Sequence, residues 1–292
     1  DAVNRDQLSL HFQPVVDLAT GEVVGVEALS RWSHPVRGVV APAEFIDVAE
    51  QTGLVERIGT WAIEQACRHA ARWQHHAPPG AAAFRVAVNV STQQLTPDFP
   101  ALVRDALARS GVGGEVLTLE VTESTLMERP DEAAAILSEV KAMGARIAVD
   151  DFGTGYSSLS YLARFPVDVL KIDQSFVEHV TTESERSELA RTIVRLADSL
   201  GLATVAEGIE TSEQHQHMIG LGCTYGQGYL FARPMTPESV DVFLTRRRGA
   251  ALAANRWPAV AGRAAADLVQ VGRHPPPHGV VAPGEEPGVV GV

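Results

Sequence analysis

The sequence predicts a (β/α)8 barrel with one antiparallel strand. Three observations lead there. Strand-like and helix-like stretches alternate through most of the chain, which requires parallel strands joined by crossover helices. The first two strands are joined by Thr20-Gly21-Glu22 alone, too short for a crossover, so they form a hairpin. Counting that hairpin gives eight strands in roughly 245 residues, which suits a closed barrel better than an open doubly wound sheet.

The hairpin strands are Leu8–Leu18, carrying Gln13-Pro14, and Val23–Trp32. Helical periodicity follows over Pro42–Glu50 and Gly53–Trp73, where Ile58, Trp61, Ala62, Ala66, Ala70 and Trp73 share a face. Beyond a proline- and histidine-rich loop, strands are expected at Phe84–Ser91, Leu117–Glu123, Arg146–Phe152, Val169–Asp173, Ala203–Glu210 and Gly226–Phe231. The helices between them have plausible stops: Asp98–Ser110 at Gly111, Asp131–Met143 at Gly144 and Ser184–Leu200 at Gly201. A shorter helix, Ser157–Phe165, ends at Pro166. Thr211 to Gln214 has the form of a capping box, and Pro237 suits the first position of a last helix. From Gly249 the composition turns to Ala, Pro and Gly, so residues 1–248 are read as the domain and 249–292 as a disordered tail.

Composition narrows the function classes. Of 292 residues, 45% are apolar and 21% charged, enough for a substantial core. The net charge of −12 and the lack of a long basic run exclude a nucleic acid polymer as partner. The same acidity opposes an anionic substrate unless cations intervene, so phosphate chemistry here has to be metal-assisted. Cys67 and Cys223 have neither zinc-ligand spacing nor the look of a disulfide, which favours a reducing, cytoplasmic compartment. No stretch resembles a membrane span or signal segment. The chain starts at Asp1 without methionine, so an upstream sensor, or a tether to the membrane, is expected to lie outside it.

The chemistry concentrates where the strands end. Glu27 and Arg31 alternate onto one side of the second strand. The next strands finish in Asn89 and Ser91, Glu120 and Glu123, Asp150 and Asp151, Lys171 and Asp173, Glu207 and Glu210, and Gln227. Taken singly, each has a bland reading: Asp150-Asp151 as a helix cap, Glu210 as a helix-terminal charge, Gln227 as turn chemistry. In a barrel, however, these ends meet at one mouth. So many carboxylates together repel unless a cation joins them. Oxygen donors without cysteine or histidine select Mg2+ or Mn2+ over zinc. Asp150, at the centre, can bridge two ions about 3.5–4 Å apart, and Arg31 can clamp phosphate oxygens. Asp151-Phe152-Gly153 has no kinase catalytic loop beside it, and Gly153-Thr154-Gly155 lacks the third glycine of a dinucleotide fingerprint. His69, His75, His76, His215 and His217 fall away from the strand ends and are read as surface residues.

Eight separate motifs in order make the stretch from Leu8 to Leu244 resemble the EAL-domain family of cyclic di-GMP phosphodiesterases. They are Gln13-Pro14, Glu27-Ala-Leu-Ser-Arg-Trp32, Asn89-Val-Ser91, Glu120-Val-Thr-Glu123, Asp150 to Ser158, Lys171-Ile-Asp173, Glu207-Gly-Ile-Glu210 and Gln227-Gly-Tyr229. The resemblance implies a TIM-like barrel that cuts cyclic di-GMP to linear pGpG with two divalent ions. Glu27, Asn89, Glu120 and Asp150 look like ligands of the first ion, and Asp150, Asp151 and Glu207 like those of the second. Lys171 resembles the residue that orients the attacking water, while Glu207 stays open as ligand or general base. Gln13, Arg31, Asp173, Glu210 and Gln227 are assigned to the substrate side. Glu123 is expected to pin the loop after Asp151, a segment that in this family lies at a homodimer contact. A GGDEF-type or sensory domain is the expected upstream partner. Two other readings stand beside this one. A silent cyclic di-GMP receptor is opposed by the intact Glu27, Lys171 and Glu207. An enolase-like metal enzyme has only the single Lys171 as its base.

Overall fold

Asp17 starts the first turn: its carboxylate accepts from the amide and the hydroxyl of Thr20, and Gly21 takes the left-handed backbone there. On either side, β1 (Leu8–Asp17) and β2 (Val23–His34) pair antiparallel from Leu8 opposite Trp32 to Val16 opposite Val23. In this computed structural model, residues 3–5, 7–76, 83–153, 162, 164–178 and 185–251 are described. A short strand, β3 (Gly38–Val40), folds back on the end of β2 and was not foreseen from the sequence.

From β2 the sheet continues in parallel through β4 (Arg85–Asn89), β5 (Leu117–Thr122), β6 (Arg146–Phe152), β7 (Val169–Ile172), β8 (Ala203–Ala206) and β9 (Tyr225–Gly226). β9 then pairs antiparallel with β1, closing an eight-strand barrel to which β3 is the extra. Nine helices are described: α1 (Pro42–Gln51), α2 (Val55–Trp73), α3 (Phe99–Ser110), α4 (Glu123–Glu128), α5 (Pro130–Ala142), α6 (Gln174–Val177), α7 (Glu185–Ser199), α8 (Ser212–Leu221) and α9 (Pro237–Ala251). No helix among the described residues is long and apolar enough to cross a membrane.

Strand alternation divides the molecule into two layers. Val86, Val88, Leu119, Val121, Ile147, Val149, Leu170 and Ile172 join the main core with the helices. The intervening inward residues are smaller or polar: Ala148, Val169 and Val205 form a separate cluster, with Glu120 and Lys171 beyond them. On α2, Ala62, Ile63, Ala66, Cys67, Ala70 and Trp73 are buried at helical spacing, so its apolar face covers the sheet. Gly111 caps α3 in the left-handed conformation, and Gly144 and Gly201 also have positive φ. Thr211 and Gln214 form the full capping box of α8.

Six strands end earlier than their composition suggests, β1 at Asp17 and β4 at Asn89 among them. Glu123 is the first residue of α4, Asp173 is the N-cap of α6, and β8 stops at Ala206 before Glu207. The last strand is Tyr225–Gly226 instead of Gly226–Phe231, because Gly228 turns the chain toward Ile209. The histidine reading also needs correction. His69 packs against both Phe12 and Trp73, at ring-centroid distances of 5.1 and 5.3 Å, and His215 packs edge-on against Phe231. Burial lowers the pKa of both. The expected helix at 157–165, apart from residues 162, 164 and 165, and the tail from residue 252 onward lie outside the described residues; α9 itself continues through Gly249 to Ala251.

Candidate metal centre

Lys171 is the hub of the inward-facing polar residues. Strand β7 carries it from the wall into the barrel, where only 2% of it is exposed. Its Nζ lies 2.6 Å from Glu207 Oε1, 2.8 Å from Glu120 Oε2, 3.0 Å from Asp150 Oδ1 and 3.9 Å from Glu27 Oε2. Four strand ends thus deliver one carboxylate each to a single ammonium. Burial works against the charged amine, but those four carboxylates outweigh it and hold Lys171 well above the usual lysine range.

Glu27 is fixed from two further sides. Asn89 Nδ2 donates to its Oε1 at 2.9 Å, and Gln227 Nε2 donates to its Oε2. Burial raises its pKa, yet the Lys171 charge and these amides prevail and the net shift is downward. Glu120 goes the other way: burial first, then Glu27 and Asp150, push it well above the carboxylate range despite Lys171. Glu207 is pushed up to about 7, chiefly by burial. Gln227 also reaches Gln13 Oε1 at 3.3 Å, and Gln13 in turn donates to the Ala232 carbonyl at 3.2 Å.

The two adjacent aspartates share a mouth because the strand is irregular there. The β6–β7 register shifts between Val149 and Phe152, and Asp151 has a φ of 53°. Aspartate tolerates this left-handed conformation better than most residues. With the simple alternation broken, ligand oxygens of Asp150, Asp151 and Glu207 all lie within 4.8 Å of one another. Burial, then Asp150 and Asp173, raise the Asp151 pKa.

These donors fit a hard divalent cation. They are all oxygens, burial and mutual repulsion raise the pKa of Asp151 and Glu207, and the buried Gln227 Oε1 beside them has no hydrogen-bond partner among the described residues. Asp150, Asp151 and Glu207 are the residues that can hold such an ion.

The other expected site residues are less central. The Arg31 guanidinium donates to the Ser30 carbonyl at 2.9 Å; burial lowers its pKa, while Tyr229 and Glu27 pull it back up. Asp173 Oδ1 accepts from the Ser175 amide, so its carboxylate caps α6 at the edge of the cluster. Glu210 is exposed, and its amide donates to Gln214 Oε1. Glu123 opens α4, and most of the loop it was expected to pin lies outside the described residues. The sequence reading passed over Arg233, whose guanidinium stands 4.0 Å from the ring centroid of Tyr229. Its only sequence signal is a cation four residues after that tyrosine.

Comparison with known proteins agrees with this arrangement. The model of the family described as EAL domain matches residues 1–234. The bifunctional diguanylate cyclase/cyclic di-GMP phosphodiesterase MucR of Pseudomonas aeruginosa is 43% identical over 240 residues, covering 82% of this chain and 35% of MucR. The cyclic di-GMP phosphodiesterase NbdA of the same organism is 41% identical over 248 residues, covering 85% of this chain and 31% of NbdA. The chain therefore spans about a third of the length of the curated relatives it matches. Among solved structures, the PaMucR phosphodiesterase in complex with c-di-GMP superposes with a TM-score of 0.77 at 43% identity, over 82% of this chain and 96% of that one.

Proposed function

Because this chain belongs to the EAL domain family, we propose that it hydrolyses one phosphodiester bond of cyclic di-GMP, releasing linear pGpG, with Mg2+ or Mn2+. The observation that carries this reading is the convergence of Glu27, Glu120, Asp150 and Glu207 on Lys171, with Asp151 closing the rim.

Glu27, Asn89, Glu120 and Asp150 would hold one ion, and Asp150, Asp151 and Glu207 a second. Bound there, the ions supply charge neutralisation at the phosphodiester and activation of a water. Asn89 and Gln227 orient the Glu27 carboxylate. Lys171, tethered by three carboxylates, offsets their charge, and with one of them turned to an ion it would have an N–H for a water at the cluster's centre. Glu207 is pushed up to about 7 while no cation is bound, so it is suited either to join the second ion or, left off it, to take up a proton near neutrality. Gln13 lies on the substrate side, while Arg31, with Tyr229 and Arg233 close by, offers cationic and aromatic surface to the dinucleotide. Asp173 and Glu210 are assigned to substrate through ordered water, and Glu123 to the loop after Asp151. A homodimer, and an upstream sensory or GGDEF-type domain, complete the proposal.

The test incubates cyclic di-GMP with the chain and Mg2+, with Ca2+ and Glu27→Ala as controls. Formation of pGpG in the Mg2+ sample alone is the expected result. Binding without product would remove the enzyme reading and leave a receptor.

A further inference from the structure

Below the carboxylates the barrel is hollow. A cavity of about 140 Å3 extends from the inner side of Glu120, Lys171 and Gln227 to the starts of the strands. Its wall is the small inward layer, including Val15, Ala87, Ala148, Val169 and Val205. The volume is close to the roughly 150 Å3 of an engineered apolar cavity that takes up benzene. Water in the middle would find few polar partners, because the polar lining lies mainly at the two ends.

The outer end carries two guanidiniums and one carboxylate. Arg85 opens β4 and Arg146 opens β6, and both line the cavity together with the exposed Glu22. Arg85 donates to the Glu115 carbonyl at 2.7 Å. Arg146 makes no ion pair among the described residues, and Asp168 nearby is engaged by Lys141 at 3.0 Å. Burial, then the charge of Arg146, pulls Arg85 down from the usual range, while Tyr225, Asp168 and Glu115 act the other way. Two cations at the mouth of an apolar hollow match an anion with an apolar body.

We propose that the barrel interior binds a short-chain aliphatic or aromatic monocarboxylate, its carboxylate between Arg85 and Arg146 and its hydrocarbon end beneath Lys171 and Gln227. This site lies at the opposite end of the strands from the carboxylate mouth. It does not depend on the phosphodiesterase reading.

Hexanoate and its uncharged counterpart 1-hexanol provide the test on the full chain, in EDTA. Binding is followed by thermal unfolding and by the methyl NMR signals of Val169 and Val205. Hexanoate is expected to raise the melting temperature saturably and to shift both sets of methyls. The pair Arg85→Gln and Arg146→Gln is expected to weaken hexanoate at least about tenfold and to leave hexanol unchanged. Ala148→Leu, which fills the hollow, is expected to abolish both, with Val205→Phe as a second filling variant should the first not fold. Methyl signals that never respond, as in a cavity holding water only, would overturn the proposal. So would hexanoate binding that persists in a folded filling variant, or that is unaltered in the double arginine variant.

Discussion

Lys171 is enclosed by Glu27, Glu120, Asp150 and Glu207, and its removal leaves those carboxylates facing one another in a buried space. Lys171→Met is therefore expected to lose about 3–5 kcal/mol of stability in EDTA, with part of it regained in Mg2+, read by urea unfolding. A variant as stable as the parent in EDTA would mean the carboxylates are already neutral. Asp150 sits in both proposed ligand sets, so Asp150→Asn should lower kcat by more than about a hundredfold, measured as pGpG release. Near-normal turnover would refute the bridging role. At this scale most of the cluster was legible, because Glu27, Asn89, Glu120 and Lys171 obey simple strand alternation. That Asp150 and Asp151 both reach the mouth was legible from the motif, but how they do so was not. It depends on a register shift and a left-handed residue, and composition announces neither.

Two loops beyond β8 and β9 hold Glu207 and Gln227 in place, and they do so by bonding to each other. The Ile209 amide donates to the Gln227 carbonyl and the Leu230 amide to the Ile209 carbonyl, each at 3.0 Å. Gly228 sits at this contact: an added Cβ would lie 2.2 Å from Ile209 O and 2.3 Å from Ile209 N. Gly228→Ala is expected to cost about 1–3 kcal/mol and to lower turnover by displacing Gln227 from Glu27, checked by thermal unfolding beside the activity assay. Stability and activity both at parental levels would show that the loops can separate freely. The contact also explains why these segments resemble strands in the sequence. Ile209 and Leu230 are buried as strand residues would be, but their partners are loop backbone, and Gly208 has already turned the chain at a φ of 67°. The parallel alternation itself was readable, since helix stops at Gly111 and Gly201 and the capping box at Thr211 carry local chemistry.

For the whole molecule, the buried acids link stability to pH and to cations. Glu207 has an ordinary pKa of 4.5 and is pushed up to about 7 in the fold. Between those values the folded chain keeps a proton that the unfolded chain releases, so stability falls as pH rises through that window. Relative to Glu207→Gln in EDTA, the parent should lose about 3 kcal/mol from pH 4.5 to pH 7, and excess Mg2+ should flatten the difference. Denaturant titrations across pH read this directly; an opposite slope would reject the assigned environment of Glu207. The barrel closure, by contrast, has a consequence for protein engineering. Leu8 pairs with Trp32, so β1 begins beside the far end of β2, whereas the other barrel strands begin at the opposite rim. Gln13 lies five residues after Leu8, roughly 17 Å along an extended strand. Any polypeptide fused ahead of Leu8 is thereby delivered to the doorway of the acidic cluster, on the side where a steric or electrostatic neighbour meets incoming substrate first.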